Sequence, residues 1–376
     1  MTRTQTVVLM LTLLAFTVLP ASALVVHVPD DEPTIQDGVN AAGKGDTVLV
    51  AAGTYSGELN RDIDFGGTDV VLRAPSGPKL TIIDCLDSTR AFHLHSGEDT
   101  TSVIEGFTIF NGRRNDLGGG VLCDGASMKF VDCIFEGNWC ADRGGAIACL
   151  GSSSVFVGCE FFGNSCEYAL YGEGGVVYCT DGSSLAFRAC EFWSNSADIG
   201  AAVACTGASS AVMRWCLFWE NAADSGGAVA CRGSSTMILE QCTMDANISV
   251  AGVGVFCDGG SLVEASGSII SFGSKGTAAR CYTGGEIVLS CCDVYGNEYG
   301  DWVGCIADQH GVTGNFHADP LYCGFANIDR RHWLHADSPC AAENSGGCGL
   351  VGAFGVGCDS TPVKAISWGR VKALFR

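Results

Sequence analysis

The chain has 376 residues, including 22 Cys and 52 Gly, and its formal net charge is −20. Only 16% of the residues are charged and 47% are hydrophobic, which excludes a disordered acidic chain, since such chains are rich in charge and poor in apolar residues. Acidic residues outnumber basic ones by 41 to 21, which argues against a nucleic-acid-binding surface. The Gly residues follow no G-x-y period, so collagen is excluded as well.

Residues 1–23 have the features of a secretory signal peptide. Arg3 precedes an apolar run over residues 7–19, and residues 21–23 (Ala-Ser-Ala) form a small-residue cleavage site. This run of about 13 residues is shorter than the roughly 20 that a transmembrane helix requires. We therefore expect a secreted or cell-surface protein without a transmembrane segment in the mature chain, in a compartment that permits disulfides.

Most of the cysteines fall into two series that repeat about every 26 residues. The first series, with spacings of 24 to 30 residues, consists of Cys123, Cys149, Cys179, Cys205, Cys231, Cys257, Cys281 and Cys305. The second follows ten or eleven residues later and consists of Cys133, Cys159, Cys190, Cys216, Cys242 and Cys292, with its missing member near Ser268. Five residues after each second-series Cys stands an Asn, and these are Asn138, Asn164, Asn195, Asn221, Asn247 and Asn297.

Short strand-like segments surround these positions. Alternation places Ile147 and Cys149 on one face, and Cys159 and Phe161 on another. Three such segments in each repeat predict a β-helix, an all-β solenoid with three strands per turn in which equivalent strands pair in parallel. Both Cys series then form columns that face the core. The Asn residues form a structural ladder, because their amides can bond to the chain and to the next Asn.

The cysteines could serve as zinc ligands, or as core residues that are packed as thiols or joined by disulfides. Zinc binding is not supported, because the C-x2-C spacing and a paired His spacing are absent. We interpret the columns as packed thiols, although vertical neighbours about 4.8 Å apart lie within disulfide reach. Cys140 and Cys166 are a better candidate pair, since later repeats carry Ala or Ser there. The cysteines beyond the repeat predict a disulfide-stapled C-terminal end, and they are Cys323, Cys340, Cys348 and Cys358.

A solenoid of this kind needs caps at both ends. Residues 33–42 predict a short helix with Ile35, Val39 and Ala42 on one side, which would plug the N-terminal end; strands are expected at 47–50, 70–72 and 80–83. We expect one domain over residues 24–358. It divides into the cap and first turns (24–120), the Cys/Asn repeats (121–310) and a Cys-rich closing region (311–358). Residues 359–376 are a basic amphipathic tail, for which we weigh a loose terminus against a sorting role.

Two parts of the sequence resemble known families. Residues 28–30 (Val-Pro-Asp), 33–36 (Pro-Thr-Ile-Gln) and 45–55 resemble the first turn of secreted bacterial right-handed parallel β-helix proteins of the pectin-lyase-like fold. The Gly-Gly-Ala-Ile/Val and Phe-x-x-Asn elements are similar to chlamydial polymorphic outer-membrane-protein repeats. Together these resemblances cover nearly all of the mature chain and imply a right-handed β-helix. They do not define an activity, because the fold hosts lyases, hydrolases, epimerases and adhesins.

The resemblance to polysaccharide-cleaving enzymes motivates a search for catalytic groups, which are paired carboxylates in hydrolases. The Gly-His-Gly and Arg-x-Lys motifs of related hydrolases are absent from the repeats, and the nearest match is Gln309-His310-Gly311. Arg188 and Arg214 occupy the same position in adjacent repeats, but no repeat-phased cluster of carboxylates accompanies them. We therefore predict no catalytic residue, with a polysaccharide lyase or hydrolase as the alternative.

One outward-facing column predicts a binding surface. It carries aromatic residues three positions after the second-series Cys in three successive turns, beside a column with two Glu and near an insertion of about four residues. Aromatic rings beside carboxylates suit sugars, and insertions on one face of a solenoid often mark its binding face. The alternative is that the aromatic ladder only stabilises neighbouring strands. The candidate binding residues are Phe162, Trp193, Trp219, Glu160, Glu191, Tyr168 and Tyr171.

The sequence thus favours a non-enzymatic secreted or cell-surface protein that binds a glycan or cell-surface component, with a purely structural surface role as a further alternative. The net charge would repel polyanions, so neutral glycans or basic partners are favoured and nucleic acid is not. No metal or organic cofactor is predicted. Turn carboxylates such as Asp124 and Asp258 offer only weak calcium binding, and turn chemistry explains them equally well.

Overall fold

The structure is a computed structural model that describes residues 23–167, 172–324 and 331–358. The chain winds into a parallel β-solenoid of about 12 turns with about 26 residues per turn. This confirms the all-β solenoid predicted from the Cys and Asn periodicity. The basic tail and nearly all of the expected signal peptide lie outside the described residues.

The coils build four parallel sheets, numbered here in the order in which the chain visits them within a coil. Sheet 1 has 11 strands: Val25–Val28, Thr47–Val50, Val71–Arg73, Val103–Glu105, Lys129–Val131, Val155–Val157, Ser184–Arg188, Ser210–Arg214, Thr236–Glu240, Leu262–Ser266 and Glu286–Ser290. Sheet 2 has 10 strands: Gly53–Tyr55, Thr81–Asp84, Thr108–Phe110, Ile134–Glu136, Glu160–Phe162, Glu191–Trp193, Leu217–Trp219, Thr243–Asp245, Ile269–Ser271 and Asp293–Tyr295.

The other two sheets complete each coil. Sheet 3 has six short strands: Arg113–Arg114, Trp139–Cys140, Ser165–Cys166, Ser196–Ile199, Ala222–Ser225 and Ile248–Ala251. Sheet 4 has eight strands: Phe92–Leu94, Val121–Asp124, Ile147–Leu150, Val177–Thr180, Val203–Cys205, Val229–Cys231, Val255–Cys257 and Ala279–Cys281. The remaining named elements are the α-helix Ile35–Ala41, the 3-10 helices Glu58–Asn60 and Gly304–Gln309, and the strand pair Leu334–His335 and Val356–Cys358.

Sheets 1, 2 and 4 are the three strands per turn that the sequence predicts. Sheet 3 was not predicted, because its strands begin directly after the ladder Asn and several span only two residues, too few to show alternation. Near the N-terminus, the strand expected at 47–50 is observed there. Those expected at 70–72 and 80–83 lie one residue later, at Val71–Arg73 and Thr81–Asp84.

Columns of identical side chains fill the interior. Phe130, Phe156 and Phe187 stack along sheet 1 with ring centroids 5.2 and 4.7 Å apart. A second Phe column follows sheet 2, in which Phe135, Phe161, Phe192 and Phe218 lie 4.6 to 4.8 Å apart. The first-series Cys residues from Cys123 to Cys281 pair in register along sheet 4. In this way one strand register aligns every layer of the core.

The Asn ladder joins consecutive coils through buried amides. The backbone N–H of Asn195 donates to Oδ1 of Asn221 at 3.2 Å, and Nδ2 of Asn195 donates to the same oxygen at 2.9 Å. Nδ2 of Asn195 also donates to the carbonyl of Phe161, one coil earlier, at 3.0 Å. The same pattern links Asn138, Asn164, Asn221 and Asn247. At the coil without an Asn, the N–H of Gly273 donates to Oδ1 of Asn297 at 3.0 Å.

The N-terminal cap is the predicted helix, observed at Ile35–Ala41. Thr34 begins it, since its hydroxyl accepts the N–H of Asp37 at 3.2 Å. Ile35 and Val39 are buried against the first coil. Gly38 permits this close contact, because a Cβ there would lie only 2.8 Å from a methyl group of Val28.

The C-terminal end is closed differently from the prediction. The 3-10 helix Gly304–Gln309 covers the last coil, with Ile306 in the core and Nε2 of Gln309 donating to the carbonyl of Ile287 at 2.7 Å. Of the closing region predicted over 311–358, the first residues also cover this end, since Thr313 and Asn315 both donate to the carbonyl of Leu289. The described residues beyond 316 do not plug it. Instead, residues 316–324 and 331–358, here termed the C-terminal wrap, fold back along the outer face of sheet 2.

The C-terminal wrap is held to sheet 2 by apolar packing and hydrogen bonds. The N–H of Ala353 donates to Oγ1 of Thr243 at 2.9 Å, and the Tyr322 hydroxyl lies 2.9 Å from that of Ser271. A buried cluster joins Ile269 of sheet 2 to three residues of the wrap, Leu334, Cys340 and Val351. The sequence did not predict this arrangement, because short-range patterns carry no signal for contacts 51 to 110 residues apart.

The cysteines depart from the predicted disulfide pattern in part. Cys323 and Cys358 are bonded to each other, whereas Cys348 is bonded to Cys291 of the last coil. The expectation that Cys340 is bonded was wrong, since this residue is a buried free thiol. Cys140 and Cys166 stack in register as expected but are also free thiols, and each thiol donates to a backbone carbonyl. A further disulfide joins Cys281 to Cys305.

Replacing one ladder residue tests the role of the Asn column. Asn221→Ala leaves the buried N–H and Nδ2 of Asn195 without their acceptor, and each lost buried hydrogen bond costs about 1–3 kcal/mol. We expect a loss of at least about 2 kcal/mol in chemical denaturation. The exposed Asn115→Ala is the matched control and should change stability by less than about 0.5 kcal/mol. Equal stability of the two variants would contradict a structural ladder.

The junction of the wrap with the last coil should make stability depend on pH. Burial raises the pKa of Asp293 to about 7, although the N–H of Ala318 donates to its carboxylate at 3.0 Å. Since the folded-state pKa exceeds the unfolded one, the folded protein retains a proton that the unfolded chain releases, and this stabilisation is lost as pH rises through about 7. Asp293→Asn should therefore lose less thermal stability than wild type between about pH 5 and pH 8. Parallel melting curves would contradict this assignment.

Candidate functional site

The aromatic residues Phe162, Trp193 and Trp219, here termed the aromatic strip, lie on the outer face of sheet 2. They occupy adjacent coils in strict register. The rings of Phe162 and Trp193 are stacked at 4.4 Å, and those of Trp193 and Trp219 at 5.2 Å, with interplanar angles of 10° and 12°. Because the ring planes face one another along the solenoid axis, the strip presents ring edges to solvent rather than flat faces. This differs from the open platform that the sequence suggested.

One end of the aromatic strip is covered by the C-terminal wrap. The guanidinium carbon of Arg331 lies 3.8 Å from the ring centroid of Trp219, and Arg331 also pairs with Glu220 at 3.4 Å. His332 lies beside the same indole, with ring centroids 5.7 Å apart. The indole Nε1 of Trp219 is buried and makes no hydrogen bond within the described part of the chain. Trp219 is therefore an anchor for the wrap, although it is half-buried like Trp193 and Phe162.

The same column continues beneath the wrap beyond Trp219. Its next member, Asp245, accepts a hydrogen bond from Nε2 of His332 at 3.1 Å, and both side chains are largely buried. Ser271 then contacts the Tyr322 hydroxyl, and Tyr295 lies beside His317 with ring centroids 5.0 Å apart. Among the described residues, the wrap contacts this column from Trp219 onward, here termed the covered half. Phe162 and Trp193, with the neighbouring Glu160 and Glu191, are termed the open half.

The open half includes two carboxylates. Glu160 and Glu191 are register partners in adjacent coils, in the column next to the aromatic strip. Within the described residues, neither forms an ion pair within 4.0 Å. Burial, and then the charge of Glu160, raise the pKa of Glu191, while His332 lowers it. An uncompensated pair of stacked carboxylates favours cations, amines or hydroxyl donors and disfavours anions.

The other sequence-predicted features contribute less to this site. Tyr168 and Tyr171 belong to the insertion predicted between Asn164 and Gly174, and both lie outside the described residues. Within that segment, the N–H of Gly172 donates to the carboxylate of Asp198 at 2.7 Å. Arg214 forms an ion pair with Glu240, and Arg188 lies over the ring of Trp215 at 4.8 Å. These two arginines are therefore engaged within the protein.

Two further sequence signals have structural partners of their own. Gln309 of the Gln-His-Gly segment accepts the N–H of Leu289 at 2.7 Å, and the ring of His310 stacks on Trp302 at 5.3 Å. Asp258, a candidate for weak calcium binding, pairs with Arg232 at 3.2 Å. Among the described residues, no helix is long and apolar enough to cross a membrane.

A cavity of about 410 Å³ lies elsewhere, on the side of sheet 3, and is lined in part by Ser88, Arg113 and Arg114. Arg114 donates twice to Asp116, and the guanidinium of Arg113 stacks on Trp139 at 4.3 Å. The arginines of this cavity are already paired. The open half of sheet 2 is therefore the better candidate for a binding surface.

Comparison with known proteins agrees with this architecture. The structure is similar to the crystal structure of pectate lyase Pel9A, with a TM-score of 0.51 and 12% sequence identity, over 85% of this chain and 90% of that chain. At this identity the similarity establishes the fold alone. No curated protein matches the sequence. Residues 79–226 and 176–316 match the family described as the right handed beta helix region, and together these segments span more than half of the sequence. The chain therefore belongs to the right-handed β-helix family.

Proposed function

We propose that this protein is a secreted or cell-surface, non-enzymatic β-helix protein that binds a glycan through the open half of the outer face of sheet 2. The observation that supports this most is the border at Trp219. Among the described residues, the C-terminal wrap contacts the outer face from Trp219 onward, and Phe162 and Trp193 stay half-buried beside two carboxylates that form no ion pair.

The geometry suggests how a glycan would be held. Ring edges of Trp193 and Phe162 offer an apolar ridge for the C–H surfaces of sugars, and aromatic edges carry partial positive charge that attracts hydroxyl oxygens. Glu160 and Glu191 are acceptors for sugar hydroxyls or amines. Because the carboxylates are stacked without a cation, the ligand is a neutral or amine-bearing glycan rather than a polyanionic one.

A second candidate function is polysaccharide cleavage at the same face. It is favoured by one specific observation, the raised pKa of Glu191 beside the aromatic strip, because perturbed carboxyl groups are frequent at active sites. The pectate lyase likeness concerns fold only and adds no support for this activity. Release of new reducing ends or of unsaturated products from a bound polysaccharide would favour cleavage over binding alone.

The proposal is tested by replacing the half-exposed member of the aromatic strip. Trp193→Ala removes the centre of the ridge, and we expect at least tenfold weaker binding, about 1.4 kcal/mol, in gels cast with neutral, amine-bearing and acidic polysaccharides. Trp139→Ala, on sheet 3, is the matched control and should migrate like wild type. Trp193→Phe keeps the stack and should retain part of the binding.

Thermal stability separates binding from packing. If Trp193→Ala binds like wild type at temperatures where it is still folded, and loses binding only as it unfolds, the aromatic strip is a packing element and the proposal is wrong. Wild-type protein that is retarded by no polysaccharide would likewise contradict glycan binding and would favour a protein partner or a structural role.

A further inference from the structure

The first Cys series forms a continuous column in sheet 4, independent of the aromatic strip. The column contains seven residues, and its consecutive members are register partners in adjacent coils. They are Cys123, Cys149, Cys179, Cys205, Cys231, Cys257 and Cys281. Neighbouring parallel strands lie about 4.8 Å apart, and disulfides need Cα atoms about 4.4–6.8 Å apart. Each neighbouring pair in this column is therefore within disulfide reach.

One disulfide already fixes how the remaining residues can pair. Cys281 is bonded to Cys305, with their Cα atoms 6.0 Å apart, so Cys281 is not available to Cys257. Cys257 then has one column neighbour left, which is Cys231. The same reasoning assigns Cys205 to Cys179. Cys149 and Cys123 then form the last pair, so that every cysteine of the column has a bonding partner.

The contacts between thiols agree with this set of pairs, here termed the pairing frame. Sγ of Cys179 lies 2.8 Å from Sγ of Cys205, so the two sulfurs of this pair are in direct contact and either thiol can donate to the other. The largest influence on the pKa of Cys123 is the Cys149 thiol, which raises it. In the same way, the largest influence on the pKa of Cys205 is the Cys179 thiol, and the largest on the pKa of Cys231 is the Cys257 thiol. Both pKa values are raised.

The second Cys series provides an internal contrast. Its thiols donate to backbone carbonyls of their own coil and often of the preceding one, such as Cys133 to Ile104 at 3.5 Å and Cys292 to Ala265 at 3.4 Å. Cys216 donates to the carbonyl of Arg214 at 3.4 Å. Cys231 and Cys257 of the sheet 4 column also donate to backbone carbonyls, so a carbonyl acceptor does not by itself separate the two columns. The difference is that, within the described residues, no disulfide in the second series fixes a pairing frame.

We propose that the sheet 4 column is a disulfide ladder with the rungs Cys123–Cys149, Cys179–Cys205 and Cys231–Cys257, which continues the observed Cys281–Cys305 bond. Each rung forms by exchange with an external disulfide such as glutathione disulfide. One thiolate attacks that disulfide and releases a glutathione thiolate, and the deprotonated neighbour then attacks the mixed disulfide and releases the second. The glutathione disulfide accepts two electrons, and its two released thiolates take up the two protons that the cysteines lose. Each rung therefore yields two molecules of reduced glutathione.

The rungs must form before the coils close. All six cysteines are fully buried. The neighbouring thiol, and then burial, raise the pKa of Cys123 and of Cys205, which suppresses the thiolate that exchange requires. Oxidation therefore accompanies coil assembly. Once formed, each rung covalently joins two consecutive coils of the solenoid.

Thiol counting on the full chain tests the ladder. Protein refolded in glutathione and glutathione disulfide is denatured without reductant, alkylated and weighed by mass spectrometry. The described structure has sixteen free cysteines, and the three rungs consume six of them, so ten alkylated thiols are expected instead of sixteen. Peptide mapping should recover the three cross-links in the stated frame, and circular dichroism verifies that each sample is folded.

A pair of matched variants gives opposite results. Cys205→Ala breaks one rung and releases Cys179, so its thiol count should rise by one relative to wild type. Cys216→Ala, an equally buried position of the second series, should lower the count by one. A wild-type count of sixteen, with both variants lower by one, would overturn the proposal, and so would cross-links between Cys149 and Cys179 or between Cys205 and Cys231.

Discussion

The parallel stacking of coils in register is the constraint on which the rest of this structure depends. A coil cannot satisfy its own strand backbone groups, so each N–H and C=O must meet a partner in the coil above or below. The pairing stays in register from Val25 to Ser290 in sheet 1 and from Gly53 to Tyr295 in sheet 2. The Asn ladder maintains this register at the corner between sheets 2 and 3, where amides bond both to each other and to the preceding coil.

Register determines what the interior and the surface can be. Inward positions repeat the same chemistry, which explains the Phe columns and the two Cys columns. Outward positions are free to differ from coil to coil, and on sheet 2 they change from Phe162, Trp193 and Trp219 to Asp245 and Ser271. The C-terminal wrap recognises this change, since His332 and Tyr322 contact the polar members and Arg331 contacts the last aromatic one. The proposed binding function therefore depends on the outward column rather than on the solenoid itself.

Much of the fold was predictable because the repeat places the same residue types at the same phase. Cys and Asn spacing identified the coil length, the inward columns and the ladder, and the N-terminal helix followed from the spacing of Ile35 and Val39. Sheet 3 was not predictable, because strands such as Trp139–Cys140 are too short to alternate.

The candidate site was predictable only in part. The phase of the repeat placed Phe162, Trp193 and Trp219 in one outward column, but it could not show that their rings stack face to face. Nor could it show that residues 331 and 332 cover Trp219, because that contact joins segments more than 100 residues apart. The bonding of Cys348 to Cys291, and the free thiol of Cys340, depend on the same fold-back.

The measurement that tests the central claim most directly is hydroxyl-radical footprinting of the folded protein with and without a polysaccharide panel, read at single residues by mass spectrometry. If the open half of sheet 2 is the binding face, a bound neutral or amine-bearing glycan should lower oxidation of Trp193 and Phe162 severalfold and leave Trp139 unchanged. Protection confined to Trp139 or to other faces, or no protection by any glycan, would contradict the assignment of this face as a glycan-binding site.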